Sequence, residues 1–196
     1  MKTADVIIVG SGASGLFNAL FLPQDYKVIV ITKKEVEESD SFLAQGGISA
    51  LKNPEDYDSY FEDTMKAGHY ENDKGAVEKM IKESPQIIQD LKDFGVRFEG
   101  GHSTFRILHH EDLTGKEITS HLYEEAKKRD NITIMENCTM IDIIEKDGEC
   151  KGIVYKDADG NLDTIEAPDT VLATGGLGGL FKHSTNFRHL TADSLA

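Results

Sequence analysis

Three glycines near the start of the chain have the spacing of a phosphate-binding turn. Gly10, Gly12 and Gly15 form Gly-x-Gly-x-x-Gly within the stretch ADVIIVGSGASGLFNAL. In such a turn the first glycine permits a tight bend, the second lets the backbone approach a pyrophosphate, and the third lets a helix lie close to a strand. Free N–H groups at the start of that helix then bind the phosphates. These residues therefore predict the binding of a dinucleotide.

The segments around this turn have the pattern of a β-α-β unit. Residues 5–9 form a short apolar strand, residues 13–22 have apolar positions at helical spacing, and residues 27–32 (KVIVIT) form a second apolar strand. Two such strands joined by a helix form a parallel pair with a right-handed crossover. The glycine turn thus stands where a dinucleotide-binding fold requires it.

The middle of the chain is predicted to be helical and the last third to be mainly β-structure. Asn53-Pro54 and Ser84-Pro85 each pair a capping residue with proline, which predicts a helix start, as does Asn72, and Gly95 predicts a helix end. Asp-Gly turns separate short strands in the last third. The predicted fold class is α/β: one Rossmann-like domain over residues 1–196, with a central parallel sheet, a three-stranded β-meander and added helices. The stretches assigned to strands are NITIME (131–136) and DTVLATGG (169–176) in the main sheet, and TMIDIIEKDG (139–148), CKGIVYKDADG (150–160) and LDTIEAP (162–168), with their turns, in the meander.

Composition excludes several classes of function. Lys and Arg number 21 against 35 Asp and Glu, a net charge of −14, which repels nucleic acid and anionic membrane surfaces. No apolar run approaches the length of about 18 residues that a membrane span requires. Cys138 and Cys150 are isolated and lack metal-ligand spacing, and no signal peptide precedes the first strand. We expect a cytoplasmic protein without a bound metal.

The end of the second strand leaves the identity of the dinucleotide open. An NAD site or a typical FAD site places Asp or Glu there, about 20 residues after the glycine turn, to bind a ribose hydroxyl. This chain has Thr32, Lys33 and Lys34 instead. Lys33 suits the 2′-phosphate of NADP, so an NADP-dependent reductase is an alternative at this point.

Five motifs together resemble one flavoprotein family. They are GSGASG (10–15), ITK (31–33), DSFLAQGGISA (40–50), GGHSTFRILHHEDLTG (100–115) and ATGG (173–176). In this order they resemble the family of L-aspartate oxidases and of the flavoprotein subunits of succinate dehydrogenase and fumarate reductase. The resemblance extends over essentially the whole chain, and it implies FAD rather than NADP as the cofactor.

The resemblance also assigns FAD contacts, most of them backbone groups, because N–H donors suit an extended anionic cofactor and glycines allow close approach. The pyrophosphate would lie against Gly10, Ser11, Gly12, Ala13, Ser14 and Gly15, and the adenosine part near Lys33. The ribityl chain and flavin ring would lie against Asp40, Ser41, Phe42, Leu43, Ala44, Gln45, Gly46 and Gly47. Thr139 and Met140 would lie along the adenine, and Ala173, Thr174, Gly175, Gly176 and Asp193 would complete the set.

The implied reaction is the oxidation of L-aspartate to iminoaspartate, the first step of NAD biosynthesis through quinolinate. Electrons would pass to oxygen or fumarate, and quinolinate synthase would be a pathway partner. Residues 38–41 lack the histidine that attaches FAD covalently in some relatives, which implies non-covalent FAD. The alternatives are a soluble fumarate reductase or succinate dehydrogenase flavoprotein, and a non-catalytic FAD-binding module.

Glu99 matches a family glutamate that faces the substrate, which makes it the candidate catalytic residue. We interpret the nearby His102, Arg106, His109 and His110 as structural or surface residues rather than catalytic ones. The sequence departs from the family pattern at 98–100, where a polar hairpin is missing, and at TADS (191–194), where Thr-Gly-Asp-Gly is usual. The resemblance further implies that residues 1–196 are an N-terminal FAD-binding part, inactive alone, without the family's capping and C-terminal helical domains.

Overall fold

The structure is a computed structural model of the 196-residue chain and describes residues 2–99 and 106–195. Within these residues the chain forms two compact units. The first unit takes in the chain up to Ala44 and from Ile118 onward, and the second unit is Gln45–Glu117.

Short strands and helices alternate along the chain. The α-helices are α1 (Ala13–Phe21), α2 (Asp40–Leu43), α3 (Tyr57–Ala67), α4 (Lys74–Asp93) and α5 (Thr114–Lys127). The strands are β1 (Lys2–Thr3), β2 (Val6–Val9), β3 (Val28–Ile31), β4 (Ile48–Ser49), β5 (Ile107–Leu108), β6 (Ile132–Met135), β7 (Thr139–Lys146), β8 (Glu149–Lys156), β9 (Leu162–Glu166) and β10 (Asp169–Leu172). Short 3-10 helices lie at Val36–Glu38, Pro54–Asp56, Gly178–Leu180 and Asp193–Leu195.

The first unit is built around a parallel sheet with the strand order β10-β2-β3-β6. Every residue of β2 and β3 is buried. Parallel sheets are covered on both faces, which is why these strands are apolar at consecutive positions rather than at alternate ones. The predicted central parallel sheet, including the return of the chain to it at β10, is confirmed.

The two faces of this sheet pack against different layers, because side chains alternate between the faces of a strand. The odd-numbered residues of β2 and β3 pack against β8 and β9, and the even-numbered ones pack against α1. The first layer joins Ile7, Val9, Ile29 and Ile31 with Ile153, Tyr155 and Ile165; the second joins Val6, Ile8, Val28 and Val30 with Ala19. The result is the α/β fold that the sequence predicts.

The meander consists of β7, β8 and β9 in antiparallel order, as predicted. The meander is part of a second sheet with the strand order β1-β9-β8-β7. Its strand β1, which pairs in parallel with β9, was not predicted. Lys2 fixes β1 there, since its ammonium group donates a hydrogen bond to the Tyr155 hydroxyl at 2.7 Å. A strand of two residues is too short to have a recognisable period.

The second unit contains α3 and α4 and the small antiparallel pair of β4 and β5. Its core joins Tyr60 and Met65 of α3 with Val77 and Ile81 of α4. The helix predicted to start at Asn53-Pro54 is confirmed as a 3-10 helix that leads into α3.

The helix start predicted at Ser84-Pro85 is wrong, because α4 continues through Pro85 to Asp93. Proline has no N–H, so the Ile81 carbonyl loses its usual donor one turn later. The Ser84 hydroxyl donates to this carbonyl at 2.8 Å and also accepts a hydrogen bond from the Leu51 N–H at 2.9 Å. The serine that suggested a cap thus compensates for the proline inside a helix.

The ends of α4 are close to the predictions. Its N-cap is Asp73 rather than Asn72, and the Asp73 carboxylate accepts a hydrogen bond from the Ala76 N–H at 2.7 Å. Gly95 lies just beyond the helix with a φ of 92°, the left-handed conformation that commonly ends helices.

Candidate cofactor site

A cavity of about 650 Å³ lies at the carboxyl ends of the parallel strands of the first unit. The turn after β2, the segment after β3, the start of β7 and the chain after β10 line it. Open α/β sheets bind ligands in the crevice beyond the carboxyl ends of their strands, and cofactor sites are commonly of about 300–1,000 Å³. Position and size both suit a dinucleotide.

Many of the residues assigned to the cofactor from the sequence line this cavity. They are Gly10, Ser11, Gly12, Ser14, Lys33, Asp40, Ser41, Thr139, Met140, Ala173, Thr174, Gly175, Gly176 and Asp193. Others belong to the first unit without lining the cavity: Ala13, Gly15, Phe42, Leu43 and Ala44. Gln45, Gly46, Gly47 and Glu99 belong to the second unit.

The glycine turn is closely packed at two of its three glycines. Gly10 has a φ of 114°, and a Cβ atom there would lie 2.1 Å from the Ala173 carbonyl oxygen of the neighbouring strand's end. A Cβ atom on Gly15 would lie 1.9 Å from the Gly10 carbonyl oxygen. No side chain fits at either position, so the turn and the start of α1 require glycine there.

Gly12 is the N-cap of α1, and a loop residue reaches the first turn of this helix. The Ala13 N–H donates to the Ser41 hydroxyl oxygen at 3.0 Å. A Cβ atom on Gly12 would lie 2.9 Å from the same oxygen. Gly12 and Ser41 both line the cavity, so a side chain at position 12 would push against Ser41 at the start of the helix.

Two buried polar atoms at this cavity lack a hydrogen-bond partner within the described residues. Ser11 is only 2% exposed, and its hydroxyl oxygen has no hydrogen-bond partner among these residues. The Asp40 carboxylate accepts a hydrogen bond from the Phe187 N–H at 3.0 Å through one oxygen, while its other oxygen has no partner. Buried polar groups are normally paired, so these atoms fit a polar ligand such as FAD.

Lys33 is occupied by the protein itself. Its ammonium group donates hydrogen bonds to the His189 carbonyl at 3.1 Å, the Thr191 hydroxyl at 2.9 Å and the Asp193 carboxylate at 2.7 Å. An ammonium group has three donors, so none remains for a phosphate. Burial alone would raise the pKa of Asp193, but Lys33 and Thr191 hold that pKa below its usual value.

The segment TADS (191–194) has one residue in a backbone conformation that favours glycine, although the segment contains no glycine. Ala192 has a φ of 55°, in the left-handed region, and its N–H donates to the Gly176 carbonyl at 3.1 Å. The Ser194 and Thr174 hydroxyls form a hydrogen bond with each other. The alanine therefore carries backbone strain that a glycine in the same place would not have.

The predicted flavin loop in the second unit has two left-handed glycines, Gly46 with a φ of 37° and Gly47 with a φ of 93°. A Cβ atom on Gly47 would lie 2.5 Å from the Leu108 carbonyl oxygen, so this position too requires glycine. A contact of Gln45, Gly46 and Gly47 with the flavin ring stays a prediction.

The candidate catalytic residue Glu99 is exposed, and its N–H donates to the His109 carbonyl at 2.7 Å. Arg106 forms an ion pair with Asp63 and lies over the Tyr60 ring, with its guanidinium carbon 4.9 Å from the ring centroid. These contacts stabilise the second unit and support the structural interpretation of Arg106. His110 lies 3.9 Å from the Glu117 carboxylate. His102 lies outside the described residues.

Several residues at the cavity were missed from the sequence. They include Cys138 at the start of the meander and three residues after β10, Asn186, His189 and Ser194. The available signal was positional: β10 is a parallel strand, so the chain that leaves its carboxyl end must pass the ligand crevice.

In the ranges 2–99 and 106–195, no cluster of three or more His, Cys, Asp or Glu side chains could hold a metal ion. None of the helices in those same ranges combines the length and apolar character needed to cross a membrane.

A family model described as "FAD binding domain" matches residues 5–196. The chain belongs to this family of flavin-binding proteins, and its cofactor is FAD, as the sequence predicts. Among individual proteins, it is 43% identical to an L-aspartate oxidase of Clostridium perfringens, over 99% of this chain and 46% of that protein. An L-aspartate oxidase of Bacillus subtilis is 36% identical over 100% of this chain and 39% of that protein. The chain therefore spans less than half the length of these relatives.

Solved structures have the same fold. The quinol fumarate reductase FrdA of E. coli (E245Q variant) superposes with a TM-score of 0.91 at 26% identity, over 99% of this chain and 36% of that one. An apo Sdh1 complex of Mycobacterium smegmatis gives a TM-score of 0.86 at 29% identity, over 98% of this chain and 37% of that one.

Proposed function

We propose that this chain is the FAD-binding part of an L-aspartate oxidase and that it holds FAD non-covalently. The observation that carries the proposal is the cavity beyond β2, β3 and β10, where the unpaired Ser11 hydroxyl lies beside the Gly12 turn. The 43% identity to an L-aspartate oxidase over 99% of the chain supports the particular enzyme.

In the proposed complex, the residues of the glycine turn bind the pyrophosphate. The Ser11 hydroxyl donates to a phosphate oxygen, and the backbone at Gly12 lets the cofactor approach the start of α1. Asp40, held by Phe187, accepts from a cofactor hydroxyl through its unpaired oxygen. When bound, the flavin supplies the electron acceptor for oxidation of L-aspartate to iminoaspartate.

We expect the donors that bind the substrate carboxylates to come from the portion of the relatives that this chain does not cover. A dicarboxylate needs paired cationic donors. Two lysines line the cavity among the described residues, and Lys33 is committed to Asp193, so Lys34 alone does not make such a pair. The chain alone is therefore expected to bind FAD without oxidising L-aspartate. A cytoplasmic location, a substrate contact by Glu99 and a pathway link to quinolinate synthase remain predictions.

The alternative is a soluble fumarate reductase or succinate dehydrogenase flavoprotein. The TM-score of 0.91 to a fumarate reductase subunit favours this alternative, but it reports only that the fold is shared. The lower sequence identity of 26%, against 43% for an L-aspartate oxidase, disfavours it.

The test is a titration of the purified chain with FAD, followed by the quenching of flavin fluorescence, with Gly12→Val as the matched variant. We expect saturable quenching for the wild type and none for Gly12→Val, because the valine side chain would collide with Ser41 and disturb the start of α1. Unchanged binding by Gly12→Val would contradict the placement of FAD.

A second experiment tests the substrate. L-aspartate and succinate are added without oxygen to the FAD-loaded chain and to a longer protein that contains it. If L-aspartate bleaches the flavin of the longer protein, the oxidase is supported, and if succinate bleaches it, the alternative is supported.

A further inference from the structure

Lys33 occupies a position that governs nucleotide choice in dinucleotide-binding folds. It lies two residues after Ile31, the last residue of β3, which is the second strand of the β-α-β unit. An acid near this strand end binds the 2′-hydroxyl of an adenosine ribose, whereas a cation there accommodates a 2′-phosphate. Lys33 alone would therefore predict a 2′-phosphorylated nucleotide, which FAD is not.

The contact with Asp193 reverses this prediction. Asp193 comes from the chain after β10, 160 residues from Lys33, and its carboxylate lies 2.7 Å from the ammonium group. Both side chains line the cavity and are about one-third exposed, at 33% for Lys33 and 37% for Asp193. An entering 2′-phosphate would thus meet a neutralised cation and a carboxylate that repels it.

We propose that Asp193 is a specificity-determining residue: by pairing with Lys33, it excludes nucleotides that carry a 2′-phosphate on the adenosine ribose. Asp193 thereby supplies the acid that is missing from the end of β3. The inference rests on the proposed placement of FAD, with its adenosine end near Lys33.

The neighbouring charges at this cavity determine which variants are informative. Lys34 also lines it and could attract a phosphate by itself, whereas Glu38 and Asp40 oppose one. A gain of affinity for a 2′-phosphate therefore supports the proposal only if it depends on Lys33.

The test measures the displacement of FAD from the chain by two probes, 5′-ADP and 2′,5′-ADP, read from flavin fluorescence. The wild type is expected to prefer 5′-ADP. Asp193→Asn keeps the shape and hydrogen-bond acceptor of the side chain but removes its charge, so we expect the preference to fall about tenfold, the effect of one charge-assisted contact. We expect the same fall in preference for a second neutral variant, Asp193→Gln. In the double variant Lys33→Met with Asp193→Asn, the preference returns to the wild-type value.

Asp163→Asn is the matched control. Asp163 forms a comparable pair with Lys2, 3.5 Å apart, but neither residue lines the cavity, so the preference should not change. A wild type that fails to bind FAD overturns the proposed function and this inference with it. A wild type that binds FAD, with an unchanged preference in both neutral variants, overturns only the inference. A gain that persists in the double variant also overturns it, because the effect then does not act through Lys33.

Discussion

Gly15 lies directly against the carbonyl oxygen of Gly10: a Cβ atom on Gly15 would come within 1.9 Å of that oxygen and 3.3 Å of the Ile8 side chain. The start of α1 therefore touches the end of β2 with no room for a side chain. Because the cavity begins at this turn, the same contact that packs the helix also positions its first N–H groups at the ligand site.

Gly15→Ala is expected to destabilise the chain by about 3 kcal/mol, the upper range for overpacking, because backbone atoms on both sides must shift. FAD binding should weaken in parallel. Urea unfolding, followed by circular dichroism, measures the first effect. Gly176→Ala is the control, since Gly176 has no positive φ and a Cβ atom there would meet nothing within 4 Å. Equal losses of stability in the two variants would contradict the packing argument.

Ala192→Gly is expected to stabilise the chain by about 1 kcal/mol, because the left-handed φ of 55° strains alanine but not glycine. The control is Ala167→Gly, at a position of similar burial without a positive φ, which should destabilise by up to about 1 kcal/mol. The unfolding midpoint in urea distinguishes the two. A destabilised Ala192→Gly variant would mean that contacts of its methyl group outweigh the strain.

Ser84→Ala is expected to cost about 2 kcal/mol, since it leaves both the Ile81 carbonyl and the Leu51 N–H without the serine hydroxyl. In a Pro85→Ala background the new N–H of residue 85 can donate to the Ile81 carbonyl. The serine substitution should therefore cost less there, about 1 kcal/mol.

A double-mutant cycle by chemical unfolding measures this difference. Ser59→Ala, on the exposed side of α3, controls for the loss of a hydroxyl elsewhere in the second unit. If Ser84→Ala costs the same with and without Pro85, the serine does not compensate for the proline.

The Lys33–Asp193 pair predicts a specific pH dependence. The pKa of Asp193 is lower in the folded chain than the value of about 3.9 for an unfolded Asp. Its stabilising contribution is therefore fully present above about pH 4 and is lost as the pH falls through the folded-state pKa. Asp193→Asn and Lys33→Met should each make the melting temperature fall less steeply below about pH 4 than in the wild type. Wild-type slopes in both variants would show that the pair does not affect acid stability.

Local sequence was sufficient to predict much of the fold. The buried strands β2 and β3, the helix α1 between them and the meander all follow from apolar periodicity and from turn residues a few positions apart. The helix start expected at Ser84-Pro85 was wrong, because the Ser84 hydroxyl donates to the Ile81 carbonyl inside the helix and is itself contacted by the N–H of Leu51, more than 30 residues earlier in the chain. Local signals at Ser84 could not distinguish a cap from compensation of an interior proline.

Dinucleotide binding could be predicted from the sequence itself, because the spacing of the glycines at 10–15 and the apolar strand and helix on either side of them are local features. The cavity that begins at this turn depends on the tertiary structure, because the segments after β3 and β10 also line it. Lys33 suggested a phosphate ligand until folding brought Asp193 to it from 160 residues away. The charge that a side chain presents depends on which partner packs against it, and no spacing in the sequence specifies that partner.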